Sequence, residues 1–183
     1  MLDIDALGKA EGKSWVWKGK VLLDEGEGAE RDLCIVKLSD GGADAVVCRE
    51  FSLKQKAFVK DGFTLPECKS DVSYKDKDTL FVGTEFPGRN DSMTDSGYPR
   101  TICEWKRGTP LGDAKEIYRC NKDHIGAHAW VEHDHGETYE WHYTSLTFYT
   151  SEKFVGRAGA KPVKLQVRDD DSPSTFGSDL YFK

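Results

Sequence analysis

Between residues 14 and 167 the apolar positions recur mostly at every second residue, the pattern of strands that bury one face. The stretches 14–22 (SWVWKGKVL), 32–38 (DLCIVKL) and 45–51 (AVVCREF) are rich in β-branched and aromatic residues, and a weaker fourth strand is expected at 57–60. The connectors at 24–30 (DEGEGAE) and 39–44 (SDGGAD) supply the glycines that tight reversals need. A second set is expected at 71–74, 79–85, 98–106 and 115–120, with KDKD at 75–78 as a hairpin turn. A third follows at 127–133, 138–148, 153–157 and 163–167, reversing at DHGE. Ahead of them all, Leu2, Ile4 and Leu7 stand at near-helical spacing, and Gly8 and Gly12 confine that turn of helix to residues 1–12.

The first strands of the three sets begin near residues 15, 71 and 127, so the chain repeats every 56 residues or so. Regular four-stranded units of about this length are the signature of propeller blades, each a twisted sheet packed on the next. An all-β sandwich with coincidental spacing is the alternative. The expected fold is all-β: about three four-stranded antiparallel blades at 13–60, 70–120 and 127–167 in one partial domain covering 1–183. The charged stretch from 168 to 183 (RDDDSPSTFGSDLYFK) is expected to be a flexible tail. Propellers close with ~4–8 blades. Three therefore form an open array whose outer faces need cover, here expected from another protein chain.

Composition narrows the function classes. Among 183 residues, 26 Lys and Arg stand against 32 Asp and Glu, a formal net charge of −6, which argues against nucleic-acid binding. No apolar run reaches the ~18 residues of a membrane helix, and the first residues carry no apolar stretch behind a basic start. Cys34, Cys48, Cys68, Cys103 and Cys120 are odd in number, widely spaced and mostly set in apolar stretches, which fits buried free thiols in a reducing intracellular compartment, cytosol or organelle.

Longer stretches carry a family likeness. Residues 39–86 (SDGGADAVVCREFSLKQKAFVKDGFTLPECKSDVSYKDKDTLFVGTEF) and 96–111 (SGYPRTICEWKRGTPL) closely resemble part of the N-terminal propeller domain of the prolyl oligopeptidase family of serine peptidases. Residues 2–20 are similar to it as well, and 145–157 (SLTFYTSEKFVGR) more weakly. The resemblance implies a seven-bladed propeller that caps an α/β-hydrolase domain, with the nucleophilic Ser, the Asp and the His on that second domain. This chain looks like a middle portion of the propeller.

The residues agree. A nucleophile elbow needs G-x-S-x-G, and the serines at 12–16 (GKSWV), 94–98 (TDSGY) and 176–180 (FGSDL) all lack it. GKAEGKS at 8–14 encloses three residues between its glycines where a phosphate-binding loop needs four, and it precedes a strand, so it reads as a turn. All five histidines fall between His124 and His142. His133 and His135, as H-x-H on one strand, would share a face beside Glu132, Asp134 and Glu137, the donor types of a zinc or copper site, although a solvated polar hairpin explains them as well. Trp130, Tyr139, Trp141, Tyr143, Phe148 and Tyr149 are expected to form an aromatic face that packs on the next sheet. The expected function is a non-catalytic structural or protein-interaction module, with no catalytic, cofactor or metal residue assigned and no cofactor. The alternatives are the propeller portion of a prolyl oligopeptidase-like peptidase that gates peptide access, and a His-cluster metal binder.

Overall fold

The computed structural model describes residues 2–169 and 171–182. Helix α1 (Ile4–Glu11) opens the chain, its first turn capped by Asp3, whose carboxylate accepts from the Ala6 amide at 2.9 Å. It ends at Gly12, in the left-handed region at φ 65°. GKAEGKS is thus the C-terminal end of a helix, where carbonyls rather than amides face outward, so it cannot cradle a phosphate.

Sheet one contains β1 (Trp15–Leu22), β2 (Leu33–Asp40), β3 (Val46–Ser52), β4 (Ala57–Phe58) and β5 (Thr64–Cys68), all antiparallel. The strand expected at 57–60 shrinks to two residues, and its role passes to β5, which pairs with β3 from Thr64↔Arg49 to Cys68↔Val46. Pro66 disguises β5 in the sequence. It is tolerated because β5 pairs on one side only, so the amide that proline lacks is not needed by a second neighbour.

Sheet two runs β6 (Asp71–Asp76), β7 (Thr79–Gly83), β8 (Thr101–Lys106) and β9 (Lys115–Arg119) in sequence order. The strand expected from 98 starts only at Thr101, because Tyr98 and Pro99 belong to the loop that bridges back to Met93. Sheet three runs β10 (Gly126–Asp134), β11 (Glu137–Ser145), β12 (Ser151–Arg157) and β13 (Val163–Lys164). Its second strand stops at Ser145 rather than 148, since Thr147 turns the chain by accepting from the Tyr149 and Thr150 amides at 3.1 Å.

The stretch from 168 corrects an expectation. Instead of a flexible tail it forms an antiparallel hairpin, β14 (Pro173–Phe176) and β15 (Asp179–Phe182), turning at Gly177. Pro173 is the first residue of its strand, where a missing amide costs little. The Gly177 amide bonds Asp134 at 2.7 Å and its carbonyl accepts from the Tyr139 hydroxyl at 2.5 Å, which ties the hairpin to the end of sheet three. Lys183 and Asp170 of the expected tail lie outside the described residues.

The sheets stack face to face and none closes on itself, an open propeller-like array. β7 is buried along its whole length. Leu80 and Val82 point into the core shared with sheet one, beside Ile35, Leu65 and Phe63. Phe81 points the other way, into the core shared with sheet three, beside Ile102, Ala127 and Ala129. A third cluster lies on the outer face of sheet one, where Leu2, Ile4 and Leu7 of the helical segment pack on Cys34, Val36, Leu38 and Phe51. The outer face of sheet three is met in turn by the segment leading to β14: the Lys153 ammonium bonds the Asp171 carbonyl at 2.7 Å, and Pro173 and Ser174 lie beside Trp130 and Trp141. The chain itself therefore covers part of both flanks that the sequence left bare.

Candidate interaction face

Each sheet boundary is crossed by a buried polar cluster. Between sheets one and two, Glu50 of β3 has a side chain with 0% exposure. Arg107, just beyond β8, clamps it with two bonds of 2.6 and 2.8 Å, the bidentate geometry that suits guanidinium and carboxylate. The Tyr74 hydroxyl donates at 2.8 Å and the Phe63 amide at 3.2 Å, so the buried charge is fully partnered. Arg107 also lies over the Phe63 ring, 4.3 Å from its centroid. Burial by itself would raise the Glu50 carboxyl, but the Arg107 and Tyr74 hydrogen bonds and the Arg107 charge hold it below the ordinary glutamate range. Tyr74 is pushed far up by burial and by the adjacent carboxylate, so it stays a neutral donor.

Between sheets two and three, Lys75 of β6 bonds Glu104 of its own sheet and lies 3.7 Å from Glu140 of β11. Glu140 in turn meets His142 at 2.9 Å. The His142 hydrogen bond, against the opposing effect of burial, and the Lys75 charge hold Glu140 below its ordinary range. Tyr118 closes the cluster, bonding Thr144 through its hydroxyl and lying tilted against the His142 ring, 4.8 Å between centroids.

These two carboxylates set the acid response. A folded-state value below the unfolded one means that the native state binds fewer protons, so the stabilisation is complete above the ordinary glutamate range and is lost as pH falls through the depressed values. Urea midpoints are expected to fall steeply between about pH 5 and about pH 3. Glu50→Gln should flatten that fall, and an unchanged slope would show that Glu50 is not its source.

The histidines do not converge. His135 lies in the β10–β11 turn at φ 46°, off the strand, so H-x-H does not place two imidazoles on one face. His133 meets Thr138 at 3.0 Å, His135 meets Asp134 at 2.6 Å, and His142, on the same face of the sheet as His133 but four residues along β11 from the strand partner of His133, is buried against Glu140. His128 faces Asp71 at 3.4 Å and His124 bonds Asn121. Among the described residues no three ligand-type side chains are grouped to hold a metal ion. The five cysteines are free and buried, and desolvation pushes the Cys48 thiol up to about 12, which leaves it unreactive at neutral pH.

The aromatic residues divide. Trp130, Tyr139, Trp141 and Tyr143 share the outer face of sheet three, as alternation predicts, with Trp130 and Trp141 stacked at 5.7 Å. Phe148 and Tyr149 are in the following turn and are 85% and 90% exposed, so they do not join that face. A second apolar surface is the outer face of sheet one, where α1 leaves a groove open between Leu2, Trp17, Val36, Phe51 and Leu53, rimmed by Lys20 and Lys56. Trp17 is 47% and Leu53 41% exposed there. In the sequence the one trace of the Glu50–Arg107 clamp is a glutamate within a strand that is otherwise mostly apolar. The groove depends on how little of sheet one the short α1 can cover.

Stacked antiparallel sheets joined by buried polar clusters, with apolar surface left at the flanks, define an open propeller-type segment. Comparison with known proteins adds its kin. No protein-family profile matches the chain. An uncharacterized peptidase of Sinorhizobium fredii is 41% identical over 155 residues, which is 83% of this chain and 20% of that protein. An uncharacterized peptidase of Rickettsia prowazekii is 29% identical over 133 residues, 68% of this chain and 18% of that one. In fold, a post-proline cleaving enzyme from Rickettsia typhi superposes with a TM-score of 0.79 at 24% identity over 94% of this chain and 26% of its own length. A structure from a study of two prolyl endopeptidases gives 0.63 at 12% identity over 82% of this chain and 23% of its own. The likeness to the propeller part of prolyl oligopeptidases is thereby borne out, and the chain spans about a quarter or less of each of these four proteins. Among the described residues no helix is long and apolar enough to cross a membrane.

Proposed function

We propose that this chain acts as a non-catalytic interaction module, a run of prolyl oligopeptidase-type propeller sheets whose open flank is covered by another protein chain. The observation that carries the reading is the groove on sheet one, where half-exposed Trp17 and Leu53 sit on an apolar floor at the edge of a well-packed core. The missing nucleophile elbow, together with histidines each engaged by a local partner, supports a role without bond cleavage. Free buried thiols suit a reducing compartment. A second reading is that these sheets are the propeller portion of a prolyl oligopeptidase-like peptidase, restricting entry to short peptides. The 41% identity to a peptidase about four times as long favours it.

Two measurements decide. The purified chain is expected to leave proline-containing peptides uncut, and turnover would overturn the non-catalytic role. A hydrophobic anilinonaphthalene dye is expected to bind the dilute chain and to bind the Trp17→Lys variant far less. A monomer that binds no dye has no open flank to cover.

A further inference from the structure

The two ends of the array differ in kind. At one end, the groove on sheet one is apolar with a cationic rim, and neither Lys20 nor Lys56 has a carboxylate partner among the described residues. At the other end, beyond sheet three, the β14–β15 hairpin leaves aromatic side chains half-exposed. Its register sets Ser174 against Tyr181 and Phe176 against Asp179 on one face, where the Phe176 ring also meets His135 of the β10–β11 turn, 4.3 Å between centroids. Phe176 is 56% and Tyr181 48% exposed, their rings 6.1 Å apart, and Asp179 is exposed with no ion-pair partner among the described residues. A two-stranded sheet is marginal by itself and is stabilised by further packing.

An apolar, cation-rimmed sheet face and an apolar, acid-bearing hairpin at opposite ends of one chain are complementary in polarity and in charge. We propose that the occupant of the sheet-one groove is the β14–β15 hairpin of a second copy of this chain. Two copies then associate head to tail about a twofold axis, each covering the other's open end. This rests on the preceding reading, that another chain covers the flank, and specifies which chain. Closure is geometrically reasonable: three sheets and a hairpin from each copy make six full sheets, within the ~4–8 that closed propellers use. Closed cyclic symmetry also satisfies both ends at once, where an open head-to-tail contact would run on into filaments.

Light scattering coupled to size exclusion, over a wide concentration range, tests it. A species of twice the 20.6 kDa chain mass is expected. Trp17→Asp and Tyr181→Asp are each expected to weaken it roughly tenfold or more, because each places a charge in an apolar contact. Both side chains are about half exposed in the single chain, so the fold is expected to survive, as circular dichroism would verify. Mixing the two variants should restore a heterodimer, because the intact hairpin of one meets the intact groove of the other. A dimer broken by Trp17→Asp but untouched by Tyr181→Asp is head to head and overturns the proposal, as does one indifferent to both. A monomer at every concentration that binds the dye also overturns self-closure, yet leaves the reading of a partner-covered flank standing. A monomer that binds no dye removes both.

Discussion

Replacing Arg107 by methionine is expected to destabilise the chain by about 3–5 kcal/mol, because it strands the Glu50 charge in a boundary from which water is excluded. At roughly 2–4 °C per kcal/mol for a chain of this size, the melting temperature should drop by about 6–20 °C. The informative comparison is with the double variant Glu50→Met, Arg107→Met. Removing both charges leaves only the Tyr74 hydroxyl and the Phe63 amide without their acceptor, about 1–3 kcal/mol each. Together these cost about 2–6 kcal/mol, comparable with the stranded charge, so the double variant should be close in stability to the single one, and more stable if the core closes over the gap. Urea unfolding of the three proteins measures this. A double variant clearly worse than Arg107→Met would mean that the pair is held for packing rather than for charge compensation.

The second large effect concerns β7. Phe81→Ala is expected to cost about 3–5 kcal/mol, the range for deleting a buried phenylalanine side chain. Its place decides where the loss is felt. Phe81 packs on Ile102, Ala127 and Ala129, and the two alanines have no long side chain with which to fill the space. Hydrogen exchange should quicken first in β10 and β11 while β2 and β3 keep their protection. Leu80→Ala, on the adjacent residue, should do the reverse, because Leu80 faces sheet one. Equal loosening on both sides in either variant would contradict the two-core arrangement.

The alternation that reveals most strands also explains where sequence reasoning stopped. Strands with one polar face, such as β6 and β10, declare themselves, and the repeat of their starting points exposes the three sheets. β5 escaped because Pro66 breaks the strand pattern, and only the topology, which makes β5 an edge, shows why proline is harmless there. The hairpin at 173–182 escaped because its flanking acids outweighed a short run of aromatics, and because its anchor is Asp134, 43 residues away. The clamp was illegible for a similar reason. Glu50 and Arg107 lie 57 residues apart, and no local pattern links an odd glutamate in one strand to an arginine after another. The histidines misled in the opposite sense: they crowd together in sequence, but alternation turns His128 to the other face, a turn takes His135 off the strand, and distance along the sheet separates His133 from His142.

That 57-residue reach has a further consequence. It nearly equals the spacing between the first strands of successive sheets, and the Ser73 hydroxyl meets the Ala129 carbonyl across 56 residues in the same way. Both bonds tie a unit to its immediate successor, as a link in a chain grips only the next link. An ancestral gene that gained or shed one such length of coding sequence would have left these remaining joints intact, so the architecture tolerates change in whole-unit steps far better than changes of a few residues within a boundary.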